Sequence, residues 1–219
     1  MSPIRRSGRR ANKVAKPAPF CRADANPPPI ATIRGGNTRL EWPEGIALDA
    51  SGKIYVANSG FAPDFAGSIT VYATGADGHV APFATISGAK TGLRDCSAIA
   101  LDPSGRIYVA NGGGKFPGSV NVYPAGGHGD IAPIAIIGGP KTKLSSPAGI
   151  ALDSKGRIYV VNPSKLPSSS SIQVYAAGSN GDAAPIATIS GDQTELGNPQ
   201  GVALDSNDDI YSQTMVWFR

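Results

Sequence analysis

Apolar residues occur along this chain in short runs of four to six residues that are rich in Ile, Val, Tyr and Thr. Each run is bounded by Gly, Pro, Ser or Asp, and no stretch repeats apolar positions at the helical spacings of three and four. This pattern is typical of β-strands that end in tight turns. In the first complete stretch it predicts four strands, at residues 45–48, 53–57, 68–72 and 83–86.

The same sequence motifs, called words below, recur along the chain at nearly constant intervals. "GIALDASGKIYVAN" is followed by "AIALDPSGRIYVAN", "GIALDSKGRIYVVN" and "GVALDSNDDIYS". The Leu-Asp pairs of these words fall at Asp49, Asp102, Asp153 and Asp205, with spacings of 53, 51 and 52 residues. A second word, "PIATIRG" in its first copy, keeps the same three spacings. Two independent words therefore define one repeat of about 52 residues.

Four short strands in one such repeat, joined by hairpin-length loops, predict one blade of a β-propeller. Asp-Gly, His-Gly and Asn-Gly at Gly78, Gly129 and Gly181 favour tight turns between the third and fourth strands. The fold class is therefore all-β, with about four four-stranded blades. Three blades are complete, at residues 45–88, 97–139 and 148–191.

The fourth blade has two interpretations. An inner pair is predicted near residues 201–204 and 209–212, and residues 215–218 could add a third strand. In the first, a lone outer strand at residues 30–33 completes this blade and closes a four-bladed ring. In the second, the propeller is truncated, and its open edges are expected to pair with another copy. The predicted domains are a basic, disordered arm at residues 1–28 and the propeller at residues 29–219.

The unit "GIALD..G.IYV.N", followed by "S-x-x-VY" and "API-A-I-G", resembles the NHL repeat and its bacterial propeller relatives. The resemblance covers residues 29–219, nearly everything outside the arm. It implies the propeller fold but leaves the function open, because relatives bind proteins, RNA or sugars and some are hydrolases or lyases.

The positive charge of the chain is concentrated near its start. Seven Arg and Lys residues precede Asp24, the first acid, so the rest of the chain has more acidic than basic residues. The arm contains no apolar run of signal-peptide length, so the chain as written predicts an unexported, cytoplasmic protein without a membrane segment. Nucleic-acid binding is not expected except through this arm. Cys21 and Cys96 are predicted to be free thiols.

The variable loops of the predicted propeller are the main candidate site. The loops between second and third strands and the loops that link blades share one face and differ most between repeats. Exposed apolar groups beside cations suit a binding surface for a protein or another macromolecule. The candidate residues on this face are Phe61, Phe65, Lys90, Arg94, Lys115, Phe116, Lys141 and Lys143.

The competing hypothesis is an enzyme centred on the channel mouth. Glu44 precedes an inner strand, where propeller lactonases of the gluconolactonase family carry a metal-ligating Glu, so the resemblance implies a divalent cation such as Ca²⁺ or Zn²⁺ there. The equivalent positions carry Ser97, Ala148 and Gln200. None of them is Asp or Asn, so a cation at the channel mouth would lack the several oxygen ligands that it needs. Asn58, Asn111 and Asn162 keep this metal site under consideration, although a local backbone role explains them better.

Streptogramin lyases, a further group of enzymatic propellers, depend on a histidine near the channel. His79 and His128 instead fall on predicted outer turns, which argues against that activity. We therefore expect a non-enzymatic binding module without a cofactor. An aspartate that occurs four times is either a fourfold site or a structural device. Asp49, Asp102, Asp153 and Asp205 are predicted to be structural turn residues, because each leaves an inner strand and enters a short turn, where Asp can accept backbone N–H bonds.

Overall fold

The computed structural model describes residues 28–64, 66–112, 117–164 and 169–214. These residues contain fourteen short strands. The chain divides into two units, Met1–Ile30 and Ala31–Arg219, and all the strands belong to the second. No helix among the described residues is long and apolar enough to cross a membrane.

The strands form antiparallel sheets in chain order, as the repeat predicts. The first blade contains β1 (Pro43–Leu48), β2 (Ile54–Asn58), β3 (Ser68–Tyr72) and β4 (Ala84–Ile86). The second contains β5 (Cys96–Leu101), β6 (Ile107–Asn111), β7 (Ser119–Tyr123) and β8 (Ala135–Gly138). The third contains β9 (Gly149–Leu152), β10 (Ile158–Asn162), β11 (Ser171–Tyr175) and β12 (Ala187–Ser190). The fourth blade shows the inner pair β13 (Pro199–Leu204) and β14 (Ile210–Thr214). The all-β propeller prediction is confirmed.

The blade faces that meet a neighbouring blade are buried, because the blades stack side by side. We call the side turned to the preceding blade the front face and the other side the back face. Tyr55 on the back face of the first blade belongs to one buried cluster with Ile99 and Val109 on the front face of the second. A second cluster joins Tyr108 to Ile150 of the third blade. Apolar residues on both faces explain why the strands read as nearly continuous apolar runs.

Two pairs of neighbouring inner strands, β1 with β5 and β9 with β13, approach so closely that the first strand of each pair requires glycine. A Cβ atom added at Gly45 would lie 2.8 Å from the Cα of Ala98, and one added at Gly149 would lie 2.9 Å from the Cα of Gly201. These neighbouring atoms are backbone atoms and cannot move aside cheaply. The small residues at the head of each repeated word therefore permit the inner strands to converge.

The hairpin glycines also connect neighbouring blades. Parallel bridges join Ile86 to Gly129 and Ile137 to Gly181, from the outer strand of one blade to the outer turn of the next. Ile33 makes the same bridge to Gly78 of the first blade. The predicted strand at residues 30–33 is thus reduced to one bridge, because no antiparallel partner pairs with it among the described residues.

The front face of the first blade is exposed. Ile46 is 69% exposed, whereas the equivalent Ile99 and Ile150 are each 6% exposed beneath the preceding blade. The back face of the fourth blade is also open, since Tyr211 is 55% exposed and the equivalent Tyr108 is 3% exposed. The array over residues 31–214 therefore ends in two uncovered blade faces. The third strand predicted at residues 215–218 lies outside the described residues.

Candidate functional site

The variable-loop face consists of the loops between second and third strands together with the loops that link the blades. In the first blade, the Ser59 N–H donates to the Trp42 carbonyl at 3.1 Å, which joins the two kinds of loop. The Gly67 N–H likewise donates to the Leu93 carbonyl at 3.1 Å in the loop that leads to the second blade. The two sets of variable loops therefore lie against each other.

The repeated asparagines hold these loops in place. The Oδ1 of Asn58 accepts a hydrogen bond from the Glu41 N–H at 3.1 Å, and that of Asn111 accepts one from the Arg94 N–H at 2.6 Å. The Nδ2 of Asn162 donates to the Lys143 carbonyl at 2.8 Å. Each asparagine therefore fastens the preceding blade-linking loop to its own second strand. Sequence reasoning assigned them a structural role but placed their bonds on nearby backbone of the same turn.

Five of the eight predicted binding residues lie in the described part of the face. Phe61 is 57% exposed, and the side chains of Lys90, Arg94, Lys141 and Lys143 are all on exposed residues. Lys141 lies in the 3-10 turn Pro140–Thr142, which Lys143 follows. Phe65, Lys115 and Phe116 lie outside the described residues.

Trp42 is the residue on this face that sequence reasoning missed. Its indole is 61% exposed and packs edge-to-face against the Phe61 ring, with centroids 6.0 Å apart and an angle of 78° between the rings. Its φ of 55° lies in the left-handed region. Asp95 and Asn198, the residues at the equivalent positions, share this conformation with φ of 49° and are suited to it. A bulky aromatic residue there is unusual, and only the repeat alignment could have singled it out.

A pocket of about 310 Å³ opens beside this aromatic pair. Trp42 and Phe61 form its aromatic walls, and Asp95 contributes the carboxylate. Among the described residues the Asp95 side chain has neither a hydrogen bond nor an ion pair, and burial raises its pKa above the usual value. The pocket therefore combines two exposed aromatic rings with an uncompensated, partly desolvated carboxylate.

Glu44 occupies a β-bulge of β1, where the register with β2 shifts between Pro43 and Gly45. Ser97 and Gln200 occupy the corresponding bulges in β5 and β13, so these residues lie within their strands rather than before them. Glu44 lies beside Ile46 in an apolar cleft of about 440 Å³ on the front face of the first blade. In the described ranges, no three His, Cys, Asp or Glu side chains are grouped so that they could hold a metal ion.

The repeated aspartates lie at the opposite ends of the inner strands and line a depression of about 670 Å³. The Oδ1 of Asp102 accepts hydrogen bonds from the Ser104 N–H at 2.9 Å and the Arg106 N–H at 3.0 Å. The Arg106 guanidinium also donates to its Oδ2 at 2.6 Å. Burial works to raise the pKa of Asp102, but the bonds from Ser104 and Arg106 outweigh it, so the pKa is lowered. The carboxylate is thus fully engaged within its own turn.

The same turn recurs in the other three blades. Asp49 accepts from the N–H groups of Ser51 and Lys53 at 2.8 and 3.0 Å. Asp153 forms an ion pair with Arg157, and Asp205 accepts from the backbone N–H groups two and four residues later. All four carboxylates have a lowered pKa. This arrangement stabilises the turns and leaves none of the four poised as a general acid or base.

The remaining nucleophilic and basic candidates lie away from the channel. His79 and His128 follow the third strands of their blades, on the outer turns. Cys96 is fully buried, and burial raises the pKa of its thiol, so that it stays protonated and unreactive. Cys21 lies outside the described residues.

No family model matches the chain, and no curated protein matches it. Among solved structures, a gluconolactonase from Xanthomonas campestris aligns over 78% of this chain and 56% of its own, at 18% identity and a TM-score of 0.51. A protein of unknown function from Bacteroides caccae aligns over 77% of this chain and 51% of its own, at 14% identity and a TM-score of 0.46. A eukaryotic initiation factor aligns over 72% of this chain and 34% of its own, at 15% identity and a TM-score of 0.45.

This chain thus spans about a third to a half of the length of these proteins. At such identities, the gluconolactonase similarity supports the β-propeller fold and says nothing about activity.

Proposed function

We propose that this protein is a non-enzymatic, NHL-like propeller that binds a protein or another macromolecule through its variable-loop face. The observation that carries the proposal is the exposed Trp42–Phe61 pair. Aromatic residues held with open faces are enriched at the energetic centres of interfaces. They gain most when a partner covers them, because each buries a large apolar area at a small cost in conformational entropy.

The chemistry elsewhere in the described chain favours binding over catalysis. The repeated carboxylates accept hydrogen bonds within their own turns, and the thiol of Cys96 is buried. The loop face, in contrast, offers apolar, acidic and basic groups within one surface. Such a mixture is typical of recognition, in which the loops vary while the blades provide a rigid support.

The test is a binding screen with arrays of peptides, RNA oligonucleotides and glycans. We expect the native chain to bind at least one probe, and a Trp42→Ala, Phe61→Ala double variant to lose that probe. Phe83 is 60% exposed at the outer edge of the first blade, so Phe83→Ala removes a comparable ring outside the loop face. Equal binding by the double variant and the Phe83→Ala control would contradict the proposal.

The alternative is a metal-dependent lactone hydrolase centred on Glu44. Its support is the position of Glu44 in the β-bulge beside the 440 Å³ cleft, since bulges often direct side chains at active sites. The described surroundings do not fit a metal ion well, because Ca²⁺ needs several oxygen ligands and the cleft supplies one carboxylate. Calorimetric titration with Ca²⁺ and Zn²⁺ separates the two functions. Micromolar binding that Glu44→Gln abolishes would favour the hydrolase.

A further inference from the structure

We propose that the pocket formed by Trp42, Phe61 and Asp95 binds an alkylated ammonium group carried by the ligand of the variable-loop face. This inference rests on the proposed function and names the chemistry of its central contact. Its three components are two aromatic faces, one carboxylate that has no partner within the described ranges, and a cavity of suitable size.

The aromatic walls provide the first component. The rings of Trp42 and Phe61 stand at 78° to each other with centroids 6.0 Å apart, and both remain more than half exposed. Two nearly perpendicular rings form a corner in which a cation can contact π-electron density from two directions. Trp is the strongest cation–π partner among the aromatic side chains, and such corners recognise quaternary ammonium groups.

The carboxylate of Asp95 provides the second component. It lines the same pocket and has no hydrogen-bond or ion-pair partner among the described residues. Asn198, which occupies the equivalent position before the fourth blade, has no such aromatic pair beside it in the described chain. A partly desolvated carboxylate without a counter-charge gains from an incoming cation, whereas an anionic ligand would be repelled.

The size of the pocket and the backbone of Trp42 complete the argument. A volume of about 310 Å³ is at the lower end of small-molecule pockets, which suits one compact group rather than a whole metabolite. The left-handed φ of 55° at Trp42 is disfavoured for a bulky side chain and accompanies functional sites more often than plain surface. The strained residue is the one that supplies the larger aromatic wall.

The test uses tetramethylammonium as the probe and tert-butanol as an uncharged probe of similar shape. In a Trp217→Phe background Trp42 is the single tryptophan, so its fluorescence reports on the pocket. We expect a saturable change with tetramethylammonium at constant ionic strength, and none with tert-butanol at the same concentrations. Calorimetric titration of the native chain provides the same measurement without any substitution.

Two matched variants test the role of the carboxylate. Asp95→Asn should weaken tetramethylammonium binding by about ten-fold or more, whereas Asp64→Asn removes the same charge from the neighbouring loop and should change it less than three-fold. Equal weakening by the two variants, binding of tert-butanol as strong as that of tetramethylammonium, or no saturable change would each overturn the inference. If that happens while array probes still depend on Trp42 and Phe61, the proposed function stands and the ligand chemistry is wrong.

Discussion

At the residue scale, the four repeated aspartates show how one side chain can define a turn. Each carboxylate accepts the N–H groups two and four residues later, which fixes the chain between the first and second strands of a blade. In the fourth blade Asp208 replaces the turn glycine and adopts a φ of 63°. Its carboxylate accepts two hydrogen bonds from Ser154 of the third blade, at 3.0 and 2.8 Å. Asp208 therefore joins the third and fourth blades.

The turn aspartates should differ in their contribution to stability. Asp102→Ala removes bonds to two backbone N–H groups and to Arg106 from a site that is 8% exposed, and we expect a loss of about 1–3 kcal/mol in unfolding free energy. Asp49→Ala should cost less, because Asp49 is more exposed and the Lys53 ammonium lies 4.0 Å away. Urea denaturation measures both. A larger loss at Asp49 would contradict this order, and neither change should alter ligand binding.

The lowered pKa of these carboxylates predicts acid sensitivity. At Asp153, burial works to raise the pKa, but the hydrogen bonds from Arg157 outweigh burial and lower the pKa. At Asp102, the hydrogen bonds from Ser104 and Arg106 outweigh burial in the same way. The pKa of each carboxyl in the folded protein lies below its unfolded value of about 3.9. The stability that results is fully present above about pH 3.9 and is lost as the pH falls towards the pKa of the folded state. Melting temperatures measured from pH 7 to pH 2 should therefore fall below about pH 4. Asp102→Asn should make this fall shallower, and an unchanged pH profile would contradict the assignment.

At the element scale, the third strand of each complete blade ends in a buried tyrosine that reaches the loop before that blade. The Tyr72 hydroxyl donates to the Thr38 carbonyl at 2.5 Å, and the Tyr123 hydroxyl donates to the Thr91 carbonyl at 2.7 Å. Tyr175 repeats this bond to Thr142 at 2.6 Å. The third strand and the blade-linking loop are thus held together from within, while the repeated asparagines hold the same loop from the second strand.

Removing one of these hydroxyls should destabilise the fold. Tyr123→Phe keeps the ring but leaves the Thr91 carbonyl without this donor in a fully buried site, so we expect a loss of about 1–3 kcal/mol. Tyr211→Phe is the matched control, because its hydroxyl bonds Asp205 on an exposed residue. Thermal unfolding of the two variants gives the comparison. Equal effects would show that the buried bond to Thr91 contributes nothing specific.

At the scale of the whole molecule, stability comes from the stacking of blades, and each blade is incomplete without its neighbours. The buried clusters all contain residues of two successive blades. The two uncovered faces carry the same residue types as the covered ones. The environment of a given position therefore depends on whether another blade lies against it.

Truncating equivalent isoleucines should reveal this difference. Ile99→Ala creates a cavity between the first two blades and should cost about 2–5 kcal/mol. Ile46→Ala removes the same atoms from a side chain that is 69% exposed, and we expect a change within about 0.5 kcal/mol at low protein concentration. Chemical denaturation of both variants measures the contrast. A cost at Ile46 as large as that at Ile99 would mean that its face is covered in solution.

Self-association through the open front face stays a prediction. Ile46 lines the apolar cleft and is 69% exposed, and Leu48 of the same strand is 63% exposed. A second copy could cover them as the preceding blade covers their equivalents. Light scattering after size-exclusion chromatography should give more than the mass of one chain at high concentration. Ile46→Asp should restore the single-chain mass, and Phe83→Asp, also on an exposed apolar residue, should not. A single-chain mass for the native protein at all concentrations would contradict the prediction.

Much of the fold could be predicted from the sequence because it depends on local chemistry. The predicted strand at residues 68–72 coincides with β3, and the other three strands of the first blade differ from prediction by no more than two residues at either end. The strands follow from apolar runs and their turns from Asp and Gly. The site could be predicted only in part: Phe61 was expected on the loop face, but the pocket that it lines with Trp42 and Asp95 is built from three separate loops.

The sequence by itself determined the repeat, the order of strands within a blade and the turn role of the aspartates, since each depends on residues a few positions apart. Only the tertiary structure decided which equivalent residues are buried and which chemical groups meet. Ile46 and Ile99 occupy the same place in the repeat, yet one is exposed and the other is covered, because burial depends on the presence of a neighbouring blade. Likewise, Asp95 becomes part of an aromatic pocket only because the blade-linking loop brings it beside the first blade.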